Sequence, residues 1–224
     1  MKSTVREPAR LRRESPEYPQ AVLQYLGREA PVAIDALGNL EILQRPTLAL
    51  FCSVKCPGRV IVQTYDVVRA LRDAGVTVIG GFHSPMEREC LDLLLRGGQP
   101  VVVCPARSIV GLRLPPEWKG PLAQERLLVL SPFAEQDRRM TAALAGERNR
   151  FVAALADELL IAHAEAGGKT EVFSRDVAAW GKPLLTLADD TNANLLALGA
   201  TPIRADEVRV HWGTADATPL LSGS

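Results

Sequence analysis

The sequence predicts an α/β protein: a doubly wound, mostly parallel sheet preceded by a short N-terminal helical extension. Three observations predict it. Residues 47–54, 76–79 and 127–130 are apolar almost throughout, without a charged residue, the pattern of strands covered on both faces. Stretches with apolar residues at helical spacing separate them. Glycines sit at the hand-over points, among them Gly75, Gly80-Gly81, Gly97-Gly98 and Gly167-Gly168, which is where such chains turn.

In order, residues 1–16 are charged and irregular and read as a flexible arm, with five Lys or Arg among the first thirteen. From Ser15, S-P-E-Y-P-Q-A-V-L-Q-Y-L-G has a capping Ser, an early Pro and Glu, helical apolar spacing and a terminal Gly, hence a short helix. Residues 30–45 are punctuated by Pro and Gly and read as a connection. The alternation then begins: strand 47–54, helix 60–74, strand 76–79, helix 85–96, strand 100–104, strand 127–130, helix 141–156, strand 159–162, helix 170–180 and strand 183–187. Residues 189–200 suggest one more helix, and the alternating V-R-V-H-W after Arg204 reads as an edge strand. The predicted organisation is therefore an arm and helix at 1–45, a Rossmann-like phosphate- or nucleic-acid-binding domain at 46–203 and a tail at 204–224.

A chain of 224 residues buries a full core for one such domain. With 26 basic and 26 acidic side chains its formal net charge is zero. That excludes a surface coated in positive charge, so any nucleic-acid contact must come from a local patch. No run of 18 apolar residues and no signal-like N-terminus is present, so a cytoplasmic protein without a membrane span is expected. Cys52, Cys56, Cys90 and Cys104 do not make a C-x-x-C pattern and read as reduced thiols; no metal or cofactor is expected.

In open parallel sheets ligands bind at the carboxyl ends of strands, so three turns are candidates. The first, C-S-V-K-C-P-G, offers the Ser53 hydroxyl and the Lys55 ammonium, but lacks the G-x-G-x-x-G of dinucleotide enzymes. In the second, Gly80 and Gly81 precede His83, and Ser84-Pro85-Met86-Glu87 is a capping box; the unpaired N–H groups of that helix start would meet an anion. The third, Gly167-Gly168-Lys169-Thr170, fails as a Walker A loop because His163 stands where the first Gly is required, yet it suits a helix-end anion site. Upstream, Arg148, Asn149 and Arg150 are placed early in a helix, where added cations point to phosphate or nucleic acid. No nucleophile elbow or catalytic set is present, and Glu171 is the one carboxylate beside a glycine turn.

Over residues 18–187 the chain resembles the DNA-processing protein A (DprA/Smf) family of the SLOG superfamily. The matching residues are Tyr18-Pro19, G-N-L-E-I-L at 38–43, the strand ending near Ser53, Gly80-Gly81, R-G-G-Q-P-V-V-V-C at 96–104, L-S-P-F at 130–133, R-N-R-F-V-A-A-L-A-D at 148–157, and Gly181-Lys182-Pro183. The resemblance implies a cytoplasmic protein that binds single-stranded DNA, forms a homodimer and helps load a recombinase in DNA processing. The family's G-S-R after the first strand is Cys52-Ser53-Val54 here, and its S-G-S-x-x-T-A turn is Gly167 to Glu171. The chain is also similar to LONELY GUY-type nucleoside-monophosphate phosphoribohydrolases, whose G-G-x-G-T-x-x-E turn would make Glu171 the catalytic residue. A nucleotide-sensing binding protein is the third class.

Overall fold

The computed structural model describes residues 8–213. The start of the arm and the end of the tail anticipated from the sequence lie outside the described residues.

Strands β3 (Thr47–Phe51), β4 (Thr77–Gly80), β5 (Val101–Val103), β6 (Leu127–Ser131), β7 (Glu158–Ile161), β8 (Leu184–Leu187) and β9 (Thr201–Ile203) are all parallel. With β1 (Ala9–Arg12) and β2 (Ala33–Gly38) they form one sheet of order β1-β2-β6-β5-β4-β3-β7-β8-β9. From β3 the chain steps outward through β4 and β5 to β6, then crosses back to the other side of β3 for β7 to β9. The strand order therefore reverses between β3 and β7, the place at the carboxyl edge where open parallel sheets bind their ligands.

Two cores cover the two faces. Helices α2 (Gly58–Asp73), α3 (Pro85–Leu95) and α4 (Pro116–Ala123) lie over one, which buries Leu50, Val68, Leu94 and Leu127. Helices α1 (Gln20–Leu26), α5 (Ala142–Leu155) and α6 (Lys169–Ala178) lie over the other, around Val22, Phe151, Ile161 and Leu128. Leu127, Leu128 and Leu130 are fully buried, each contributing about 1.5–3 kcal/mol of transfer free energy. That is why consecutive strand residues are apolar rather than alternating.

Several sequence expectations are corrected. The first helix starts at Gln20 with Pro19 at its N-cap, not at Ser15; Ser15 donates its N–H to the Arg12 carbonyl in the preceding turn. Part of the expected arm is strand β1, and the expected connection holds β2, which pairs antiparallel with β6. Residues 9–38 thus extend the main sheet. The segment V-R-V-H-W is a short helix, α8 (Val208–Trp212), preceded by a turn in which the Glu207 carboxylate accepts the Arg204 N–H; the edge strand is β9. Helix α7 (Ala193–Ala197) follows β8 as expected.

Candidate functional site

The β3–α2 and β7–α6 turns meet at the switch point. The Ser53 N–H donates to the His163 carbonyl at 2.9 Å, and the Ser53 hydroxyl accepts the Glu165 N–H at 3.1 Å. Ser53, read as a phosphate ligand, is buried and spends its hydroxyl on locking the two turns together. Lys55 stands in solvent, with its side chain 82% exposed and its ammonium 3.6 Å from Glu165. His163, which the sequence reading used only as a mismatch, is buried with Nδ1 2.7 Å from the Asn192 Oδ1.

The β4–α3 turn has the capping box that the sequence announces, but the box reaches further. One Glu87 oxygen accepts the N–H groups of His83 and Ser84, both at 3.0 Å, and the other accepts the Cys52 N–H from the β3 turn at 3.3 Å. A buried carboxylate occupies the place where a ligand phosphate was expected. His83 itself is exposed at the rim.

Arg148 lies beneath this turn and is only 5% exposed. It donates from Nη1 to the Cys104 carbonyl at 3.0 Å and from Nε to the Asn149 Oδ1 at 2.8 Å. Burial lowers its pKa, opposed by the nearby Glu87 carboxylate. Gly81 makes room for it, since a Cβ there would lie 1.4 Å from Nη1. Gly80 is closed by the Phe82 ring in the same way, at 3.0 Å. Arg150 faces elsewhere: it pairs with Glu29 at 2.8 Å and sits 5.9 Å from the Trp180 ring centroid. The Arg-Asn-Arg triplet is therefore divided between an internal brace and a helix-packing pair.

In the β7–α6 turn the Gly167 N–H donates to Glu171 Oε2 at 2.6 Å, and Arg175 pairs with the other oxygen at 3.0 Å. These partners, the Gly167 N–H foremost, hold the Glu171 carboxyl below the usual carboxylate range, so at neutral pH it has no proton to donate as an acid. Gly168 is the N-cap, with no side-chain acceptor; Lys169 is exposed and Thr170 half-buried in the first turn.

The first candidate turn, C-S-V-K-C-P-G, runs into the amino end of α2, which starts at Gly58, two residues before the expected Val60. Its N-cap, Pro57, offers no side-chain acceptor and its first turn has no acidic residue. A Cβ on Gly58 would meet open space. Lys55 and Arg59 flank it, Arg59 being 58% exposed and bound to Asp189 at 2.9 Å. The signal was available as K-C-P-G-R directly after a strand. A larger cavity of about 800 Å³ lies on the opposite, amino rim, beside Tyr18, Leu43, Thr47 and Asp157. Asp157 there accepts the Thr47 N–H at 2.8 Å, and with Glu17 and Glu41 it makes that lining acidic.

A mostly parallel sheet with a strand-order switch, and helix starts gathered on one edge, defines a Rossmann-like fold. The chain belongs to the DNA recombination-mediator protein A family, whose profile matches residues 10–208. Among solved structures it is similar to DNA processing protein A (DprA) from Streptococcus pneumoniae, with 17% identity and a TM-score of 0.72 over 92% of this chain and 74% of that one. It is also similar to DNA processing protein A from Helicobacter pylori, a single-stranded DNA binder, with 19% identity and a TM-score of 0.70 over 86% and 92%. The molybdenum cofactor carrier protein of Chlamydomonas reinhardtii shares the fold at 11% identity and a TM-score of 0.52 over 75% and 96%. No curated protein matches the chain by sequence.

Proposed function

We propose that the protein binds single-stranded DNA along the carboxyl edge of its sheet, in DNA processing and recombination, with a mononucleotide as the second candidate ligand. The observation that carries this reading is the uncapped amino end of α2 at the switch point, flanked by Lys55 and Arg59. Its Gly58 and Arg59 amides have no protein acceptor among the described residues, while Val60 and Ile61 donate to the Pro57 carbonyl, and the helix dipole favours an anion there. Lys169 and Thr170 at the start of α6 supply a second contact along the strand.

With zero net charge, affinity must come from these few cations, each also near a carboxylate: Lys55 near Glu165 and Arg59 near Asp189. A phosphate that displaces those carboxylates exchanges one screened ion pair for another. The reading thus implies modest, salt-sensitive binding. Gly80, Gly81, Ser84 and Arg148 shape the edge from within, and Ser53 ties its turns together. Homodimer assembly and hand-over to a recombinase in the cytoplasm belong to the same reading and are supported by family membership.

The test is anisotropy with labelled oligo-dT at two salt concentrations, beside a mononucleotide competition. The Lys55→Ala/Arg59→Ala protein is expected to bind more weakly, and its log K against log salt slope to flatten by about 0.7 for each phosphate that is no longer neutralised. Lys169→Ala shows a smaller change in the same direction. Equal affinity and slope in the double variant and the parent would sink the placement. Competition by mononucleotide without oligo-dT binding would replace DNA with the nucleotide.

A further inference from the structure

The switch point holds one buried polar side chain that the fold orients and leaves half used. His163 follows β7 and is 6% exposed. Its carbonyl accepts the Ser53 N–H, and its Nδ1 lies 2.7 Å from the Oδ1 of Asn192, which is fully buried at the start of α7. The Asn192 amide can face only one way: its Nδ2 donates to the Ala162 carbonyl at 2.9 Å and to the Leu187 carbonyl at 3.3 Å, and carbonyls only accept. Oδ1 is therefore the atom that meets the ring, so Nδ1 carries a proton and donates it. In the neutral imidazole the lone pair is then on Nε2.

Nε2 has no hydrogen-bond partner among the described residues, and it is not among their side-chain atoms that are both sealed from solvent and unpaired. The two nitrogens of an imidazole face away from each other, so with Nδ1 held by Asn192, Nε2 is turned from it. Two chains of contacts tie this residue to the amino end of α2. On one side the Ser53 hydroxyl accepts the Glu165 N–H, and the Glu165 carboxylate pairs with Lys55. On the other, Arg59 pairs with Asp189, whose carbonyl accepts the Asn192 N–H at 2.9 Å.

The chemistry of the unused nitrogen narrows the guest. Open amides on α2 and an acceptor beside them suit a molecule that carries a phosphate and a hydrogen-bond donor close together. A phosphodiester has no donor, and the sugars inside a DNA strand have both hydroxyls esterified. Bases have donors, but a ring nine-tenths covered admits a hydroxyl rather than the flat edge of a base. Only the sugar at a strand end carries one phosphate and one free hydroxyl.

We infer that the switch point takes the terminal nucleotide of a single strand, its phosphate on the amino end of α2 and its free sugar hydroxyl donating to His163 Nε2. This rests on the DNA-binding reading above and adds to it a preference for strand ends. A nucleoside monophosphate presents the same two groups, so both candidate ligands fit one place. Asn192 is the positioning residue, because it fixes which ring nitrogen is left to accept.

The experiment uses internally labelled oligo-dT and measures its displacement by unlabelled forms of one length at one salt concentration. Linear oligo-dT with hydroxyls at both ends is expected to compete about fivefold better than the closed circle, the worth of one hydrogen bond. A phosphate added to the 5′ end or to the 3′ end removes that advantage at one of them and so names the end. His163→Ala no longer separates linear from circular. Equal competition by the two forms in the parent, an advantage that survives phosphates on both ends, or a preference kept by His163→Ala would overturn the contact. If no form of oligo-dT binds, the DNA reading falls, and calorimetry with thymidine 3′- and 5′-monophosphates against their analogues without the free hydroxyl decides the His163 contact by itself. A loss of about fivefold in one of those pairs upholds it; equal affinity in both overturns it.

Discussion

Helices α2 and α3 begin on the same edge of the sheet after neighbouring strands, yet their amino ends are opposites. The α3 end is filled from inside: Glu87 takes the N–H groups of His83, Ser84 and Cys52, and Arg148 lies beneath it. The α2 end has no side-chain cap, no acidic residue in its first turn and two exposed cations beside it. The same helix-start physics therefore serves stability at one turn and is left available for a guest at the other. A strong capping signal in a sequence marks an end that is already satisfied, and the proposed reading puts the guest at the end that lacks one.

The largest expected effect breaks the filled end. Glu87→Ala leaves three N–H groups without their acceptor and Arg148 without its neighbouring negative charge. The loss should be about 3–5 kcal/mol in a urea unfolding titration, the range for stripping one partner from a buried charged cluster. Added formate should recover part of it by re-entering the vacated place. Lys55→Ala and Arg59→Ala should each cost no more than about 1 kcal/mol, because they remove exposed pairs. Equal losses at the two helix starts would erase the distinction between them.

Gly81→Ala tests the space beneath α3. The added methyl overlaps the Arg148 guanidinium, whose hydrogen bonds to Cys104 and Asn149 resist displacement, so about 1–3 kcal/mol of overpacking strain is expected. Combining it with Arg148→Ala removes the overlap, and the double variant should be more stable than the two single losses predict. Strict additivity would show that Gly81 and Arg148 do not share that space.

How much of this was legible follows the same division between local and distant causes. Strands β3 to β8 announced themselves because each is dominated by consecutive apolar residues, broken only by single positions such as Thr77, Glu158 and Thr186. Strand β2 did not, since A-I-D-A-L-G places Asp35 inside it; that side chain is buried with Arg10 at 3.5 Å, a pairing that only the β1 neighbour supplies. Helix α4 was missed because Gly120 and Pro121 lie within it, and β9 because Pro202 does, tolerated on an edge strand. At the site, Ser84 and Glu87 were readable as a cap, being three residues apart. The bond from Glu87 to Cys52 spans 35 positions, and the burial of Arg148 depends on Gly81 and Cys104, so neither leaves a trace in local spacing.

The smallest effect concerns α6, an intermediate case between the two ends. Its N-cap is glycine, but Glu171 reaches back to the Gly167 N–H and is also held by Arg175. These contacts depress the folded-state pKa of Glu171 below its ordinary value of 4.5. A depressed carboxyl contributes stability that is present above the unfolded-state value and is lost as pH falls through the folded one. Glu171→Gln should therefore lower the thermal midpoint slightly at neutral pH, and the gap to the parent should close in acid. A gap that stays constant into acid would mean that the carboxylate charge is not what closes this helix start. Lys169 and Thr170 would then flank an end as open as that of α2, and Lys169→Ala should weaken oligo-dT binding as strongly as Lys55→Ala does.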